Sequence, residues 1–284
     1  MKLYRTRQGI VVEDNRTDGP SRFHRAPSDD WDYLVNQDDL FQYLQQEVTS
    51  TTASDEYRVW TETQLLPPIS QQEIWASGVT YLKSRNARME ESKDAGGGDF
   101  YERVYDAERP ELFFKSTAAR AVGSGDAVRI RKDSIWNVPE PELTLFITSN
   151  GKIVGYTVGN DMSSRSIEGE NPLYLPQAKT YDGAAAIGPC LYVPEAPISP
   201  ETMIKIEIRR DGKAVFDESI AINRMKRQHT ELVSFLFRET TFPHGCYLMT
   251  GTGIVPGDDF TLAVGDEVHI TIEGIGMLVN TVQN

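Results

Sequence analysis

Apolar residues recur along most of this chain in short alternating or continuous runs. ELFFK (111–115), AVRIR (127–131), ELTLFIT (142–148), KIVGYTV (152–158), CLYV (190–193), TMIKIEIRR (202–210), AVFDESI (214–220) and EVHITIEGI (267–275) are rich in β-branched and aromatic residues. Such runs predict strands, and EIWASGVTY (73–81) ends in the same way. MKLYRTRQGIVVED predicts one or two further strands around a Gln8-Gly9 turn. Helical spacing is rarer. Asp38 and Asp39 precede Leu40, Phe41, Leu44 and Val48, a plausible N-cap followed by one apolar face. Helices are also expected over about 82–92, part of 226–239 and about 101–105. Many strands with few helices predict an α+β fold that is mainly β, built on a rolled antiparallel or mixed sheet. LLPPI (65–69) is a boundary signal, because paired prolines stop helices and resist central strands. The chain is therefore divided into a small N-terminal α/β domain, 1–68, and a catalytic domain, 69–284.

One stretch breaks the pattern. MEESKDAGGGDF (89–100) is polar and carries three consecutive glycines. It is read either as a plain surface loop or as a lid hinged on its glycines.

Composition narrows the function. With 42 Asp+Glu against 29 Lys+Arg the formal net charge is −13, so the chain lacks the basic footprint of a nucleic-acid binder. No apolar run approaches the ~20 residues of a membrane span, and the N-terminus has no apolar signal region. Two cysteines, Cys190 and Cys246, cannot build a disulfide framework and fit a reducing cytoplasm. The four histidines, His24, His229, His244 and His269, are too scattered for a zinc site, so a metal here would sit among carboxylates.

Turn geometry then places such a cluster. Asn150-Gly151 favours a two-residue hairpin loop, which sets Ser149 opposite Lys152 and makes cross-strand partners sum to 301. Glu140 then faces Asp161, and Glu142 shares its face two residues on. Facing Cβ atoms lie about 5 Å apart, so three carboxylates converge. Close anions need a cation or a proton. An all-oxygen donor set suits Mg²⁺, with Mn²⁺ or Ca²⁺ as alternatives. A solvated acidic strand end is the competing account. Arg165 and Lys179 follow closely, either as binders of an anionic substrate or as salt-bridge partners.

PELFFKSTAARAVGSGDAV (110–128), PEPELTLFI (139–147), IVGYTVGNDMSSR (153–165), QAKTYDGAAAIGP (177–189), TGTGIVPG (250–257) and GDEVHITIEGIGMLVNTV (265–282) together resemble the fumarylacetoacetate hydrolase superfamily. YERVYDAERPELFFK (101–115), DSIWNVPEPEL (133–143) and EGENPLYLPQAKTY (168–181) resemble its branch that dehydrates 2-keto-3-deoxy sugar acids such as 2-keto-3-deoxy-D-arabinonate. The resemblance implies Glu140, Glu142 and Asp161 as metal ligands, and Lys179 and Glu111 as catalytic residues. It also implies Arg165, Thr252, Arg85 and Tyr81 as the substrate-binding set. Hydrolytic members carry a water-activating histidine just after the strand matching SGVTY. Here LKSRNARMEES (82–92) follows, and no histidine lies between His24 and His229. That departure favours elimination over C–C hydrolysis; a C–C hydrolase or decarboxylase acting on a diketo acid is the alternative. The expectation is a cytoplasmic homodimer or homotetramer acting on a small anionic 2-keto acid. His229, His244 and His269 are expected to be surface or structural.

Overall fold

The computed structural model describes residues 1–16, 19–91 and 98–284. The chain opens with β1 (Lys2–Thr6), β2 (Gly9–Asp14) and β3 (Arg22–Arg25), then α1 (Trp31–Val35), α2 (Leu40–Ser50) and α3 (Asp55–Thr63). β4 (Glu73–Gly78), α4 (Leu82–Glu91), α5 (Gly98–Asp106) and β5 (Glu111–Thr117) follow, with short β6 (Ala121–Val122), β7 (Ala127–Arg129) and β8 (Asn137–Val138). The central part is β9 (Pro141–Ile147), β10 (Ile153–Asp161), β11 (Ser163–Ser164), α6 (Arg165–Glu170), α7 (Leu175–Lys179) and β12 (Ala185–Tyr192). The chain closes with β13 (Met203–Arg210), β14 (Lys213–Ala221), α8 (His229–Leu236), β15 (Cys246–Met249), β16 (Glu267–Ile272) and β17 (Gly276–Gln283). The expected helices at 82–92, 101–105 and within 226–239 are α4, α5 and α8. The 89–100 segment ends α4 and opens α5, and its residues 92–97 lie outside the described ones.

Two sheets pack face to face. The larger has ten strands in the order β3-β2-β1-β12-β10-β9-β15-β4-β5, with β6 beside β12; the smaller runs β14-β13-β16-β17-β7. β15 pairs with β4 in parallel and with β9 antiparallel, so the large sheet is mixed. Between the sheets lie Leu143, Leu145, Ile147, Leu248, Ile206 and Ile270. The other face of the large sheet packs Phe146, Tyr247, Ile187 and Ala76 against Trp31, Leu34 and Leu44 of α1 and α2. Every position of β9 is therefore buried. Double-sided burial explains why ELTLFIT reads as an unbroken run instead of an alternation.

The large sheet crosses the expected boundary at 68/69. β1 pairs with β12 through Leu3 and Leu191, and the N-terminal ammonium donates to the Val193 carbonyl at 3.0 Å. Asp39 does precede α2, but without a side-chain cap bond. Its neighbour Asp38 instead accepts from Thr148 Oγ1 at 2.6 Å and Asn150 Nδ2 at 2.9 Å, tying α2 to the β9–β10 turn.

That turn corrects the expected loop. Thr148, not Ser149, faces Lys152: its amide donates to the Lys152 carbonyl at 2.9 Å, and Gly151 takes φ +78°. A third loop residue moves partner sums to 300, as at Ile147 and Ile153. Val154 is then left over on β10, since Phe146 pairs with Gly155. This bulge restores the sum of 301, so Gly159 faces Glu142 and the Asp161 amide donates to the Glu140 carbonyl at 3.0 Å. Two opposite one-residue offsets leave the carboxylate register as expected.

Candidate active site

The ends of β9 and β10 present Glu140, Glu142 and Asp161 to one cavity, with one carboxylate oxygen of each lying within 4.8 Å of the others. All three are buried, at 4%, 1% and 1% exposure. The cavity is lined also by Arg165, Lys179, Thr252, Arg88, Phe113 and Ser84.

Buried anions persist here because cations reach them. Lys179, the last residue of α7, donates to Glu140 Oε2 at 2.6 Å and Asp161 Oδ2 at 3.1 Å. Arg165, the first residue of α6, donates to Glu140 Oε1 at 2.7 Å. Burial pushes the Glu140 carboxyl up, but the charges of Lys179 and Arg165 outweigh it and hold it down at about 2. Glu142 fares differently. Burial, then the charges of Asp161 and Glu140, push it well above the usual carboxyl range. It accepts one strong bond, from the Gly251 amide at 2.6 Å. Gly251 stands at φ +95°, where an added Cβ would meet Thr80 Oγ1, so only glycine delivers that amide. Burial tends to lower Lys179, yet Asp161 and Glu140 raise it well above its ordinary value.

Glu111 begins β5 opposite Gly78, a cavity-lining glycine whose missing side chain makes room for the Glu111 carboxyl. The Glu111 residue keeps some exposure, but its Oε2 is enclosed without a hydrogen-bond partner, and burial raises its pKa. Thr252 lines the cavity; its hydroxyl is engaged with the Ile254 amide and carbonyl at 3.2 and 3.0 Å. Tyr81 is buried with its hydroxyl enclosed and unbonded, and burial followed by the Glu142 charge raises its pKa. Arg85 lies outside the cavity, its guanidinium 5.1 Å from the Tyr105 ring centre and bonded to Asn86.

Three charged residues of the site were not anticipated. Arg88 enters the cavity from α4 and pairs with Glu168 of α6. Ser84 and Arg88 are four apart, so helical spacing alone puts them on one face. Glu168, three residues after Arg165, accepts from Ser163 Oγ at 2.8 Å. Lys115 lies behind Asp161, with Nζ 2.5 Å from Oδ1. Its signal was the period-two stripe Glu111, Phe113, Lys115.

Among the described residues, no histidine lines the cavity. His24 bonds Thr51, and His269 pairs with Glu267. His229 sits at the start of α8, where burial lowers it to about 4.

A mixed two-sheet fold with a buried Glu-Glu-Asp set defines the class. Residues 73–283 match the fumarylacetoacetate (FAA) hydrolase C-terminal family, and the chain belongs to that family. It is 53% identical over 216 residues to a probable 2-keto-3-deoxyxylonate dehydratase of Haloferax volcanii, covering 76% of this chain and 73% of the relative. To the 2-dehydro-3-deoxy-D-arabinonate dehydratase of Saccharolobus solfataricus it is 45% identical over 218 residues, with the same coverage of each. A solved 2-keto-3-deoxy-D-arabinonate dehydratase complexed with magnesium and 2,5-dioxopentanoate superposes at TM-score 0.84. It is 35% identical and is aligned over 100% of this chain and 99% of its own.

Proposed function

We propose that this protein is a hydro-lyase that removes water from 2-keto-3-deoxy-D-arabinonate to give 2,5-dioxopentanoate, using Mg²⁺ held by Glu140, Glu142 and Asp161. The observation that carries the reading is the buried carboxylate triad bridged by Lys179, with the Glu111 carboxyl packed over the cavity-lining Gly78. The dehydratase relatives and the magnesium and product complex support it. The residues fit the ion. Their donors are all oxygen, three lie within 4.8 Å, and Glu142 is driven toward its protonated form when no cation offsets its neighbours. When bound, the ion polarises the C2 carbonyl, acidifies C3–H and takes up carboxylate charge that otherwise keeps Lys179 protonated.

The side chains then divide the work. Arg165 and Lys179, with the ion, would offset the three carboxylates and so admit an anion into a chain of charge −13. Lys179 removes a proton from C3. Glu111, whose carboxyl burial shifts toward its protonated form, gives a proton to the C4 hydroxyl, which leaves as water. The resulting enone isomerises as protons from C5 and its hydroxyl move to C3 and C4, giving a ketone at C2 and an aldehyde at C5. One water is lost overall and no other reactant is used.

The test is incubation of the protein and Mg²⁺ with both C4 epimers of a 2-keto-3-deoxypentonate, followed by mass spectrometry. Loss of water alone, with an aldehyde formed, is expected. Two carbon fragments or CO₂ would replace this reading by the C–C hydrolase or decarboxylase. We also place the protein in the cytoplasm as a homodimer or homotetramer. Its cysteines are both free and buried, and Ile135 and Leu173 expose 89% and 83% of their surface for another copy to cover. No described helix is long and apolar enough to cross a membrane. Light scattering on the purified protein measures the assembly.

A further inference from the structure

Lys115 is a buried cation to which the reaction above gives no task. Along β5 the ladder to β4 slips: Trp75 faces Phe114, but Ile74 faces Ser116. Lys115 is the extra residue of a β-bulge, a device that re-aims a side chain. The bulge turns its ammonium inward, where the side chain is 0% exposed. Nζ lies 2.5 Å from Asp161 Oδ1 and donates to the Met162 carbonyl at 2.8 Å and the Lys179 carbonyl at 2.6 Å. Two of its N–H groups thus have carbonyl acceptors, and its charge pairs with the Asp161 carboxylate. These partners are a carboxylate of the triad, the residue after it, and the backbone of the proposed base. Lys115 does not line the cavity, so it does not touch substrate.

We propose that Lys115 is a positioning residue that sets Asp161 and Lys179 in one geometry from behind the site. The other Asp161 oxygen, Oδ2, shares the Lys179 ammonium with Glu140 Oε2 and so faces the triad. With Oδ1 pinned by Lys115, the carboxylate cannot rotate Oδ2 away. The bond to the Lys179 carbonyl fixes the end of α7 by the same anchor. This inference rests on the triad being a metal site, as read above.

The test uses the full chain stripped of metal and titrated calorimetrically with Mn²⁺ alone, in parent, Lys115→Met and Lys115→Gln. Met keeps the stem without donors; Gln keeps an N–H₂ donor on a shorter one. Met is expected to weaken Mn²⁺ binding about 10–100-fold, the usual effect of losing a polar partner behind a ligand, with Gln in between. At saturating metal kcat falls as well, because Lys179 loses its anchor. Unchanged or tighter Mn²⁺ binding in a variant with a cooperative thermal transition would overturn the proposal. Failure of both variants to fold would also overturn it, by assigning Lys115 to the fold. Metal titration needs no substrate, so this outcome is separate from that of the dehydratase assay.

Discussion

Lys179→Met tests the electrostatic account most directly. The substitution keeps the stem and deletes an ammonium that is 0% exposed and bound to Glu140 and Asp161 at 2.6 and 3.1 Å. Breaking a buried ion pair costs about 3–5 kcal/mol, because the remaining charge is left unpaired. Here each carboxylate keeps a second cation, Arg165 on Glu140 and Lys115 on Asp161. The cost therefore sits at the low end, about 3 kcal/mol. At about 2–4 °C per kcal/mol, the metal-free protein should melt roughly 6–12 °C lower. Divalent ions should recover that loss and bind more tightly than to the parent, since Lys179 occupies the oxygens that face the triad. Turnover should fall by at least about 10²-fold with the general base gone. Differential scanning calorimetry in chelator and in Mg²⁺, with Mn²⁺ titration, reads all three quantities. A metal-free melting temperature equal to the parent's, or weaker metal binding, would refute the reasoning.

Glu111→Gln should abolish turnover while its stability relative to the parent rises with pH. A carboxyl whose folded pKa is raised stabilises fully below its unfolded value and loses that stability as pH rises through the folded one. Burial raises Glu111, and the amide has nothing to lose, as paired urea melts at pH 5 and pH 8 will show. Magnesium at one hundred times its Kd should stabilise the parent by about 2.7 kcal/mol, and chelation should remove both that increment and activity; a melt insensitive to chelator counts against the metal site. Gly251→Ala should weaken metal binding and lower the melting temperature, because its φ of +95° and contact with Thr80 displace the amide that holds Glu142. Equal metal affinity in that variant would show the amide to be dispensable.

Much of this was legible in the chain because strand periodicity and pairing register are local. The carboxylates could be aligned from one Asn-Gly turn and an E-x-E spacing. Even so, the alignment survived only because a third loop residue and the Val154 bulge cancel. A bulge has no reliable sequence mark, and the one at Lys115 stayed hidden for the same reason, although the Glu111-Phe113-Lys115 stripe was visible. Arg85 and Arg88 illustrate a different limit. Both lie on α4, and which of them meets the cavity depends on how that helix is rotated against α6. The join between β1 and β12 links residues about 190 apart, which no local pattern marks.

The two lysines give the site its logic. Both are fully buried and both touch Asp161, so charge alone assigns them the same role. Geometry separates them. Lys179 bridges Oδ2 of Asp161 and Oε2 of Glu140, on the side where the carboxylates converge. Lys115 holds Oδ1 on the far side and two backbone carbonyls. A cation on the converging side competes with a metal ion for the same oxygens; a cation on the far side orients them. Removing the first should tighten metal binding and removing the second should loosen it. If both variants shift metal affinity in the same direction, net charge governs the site and the distinction between the two oxygens of Asp161 fails. Opposite shifts would be inexplicable by net charge, since each substitution removes one positive unit from the same buried carboxylate.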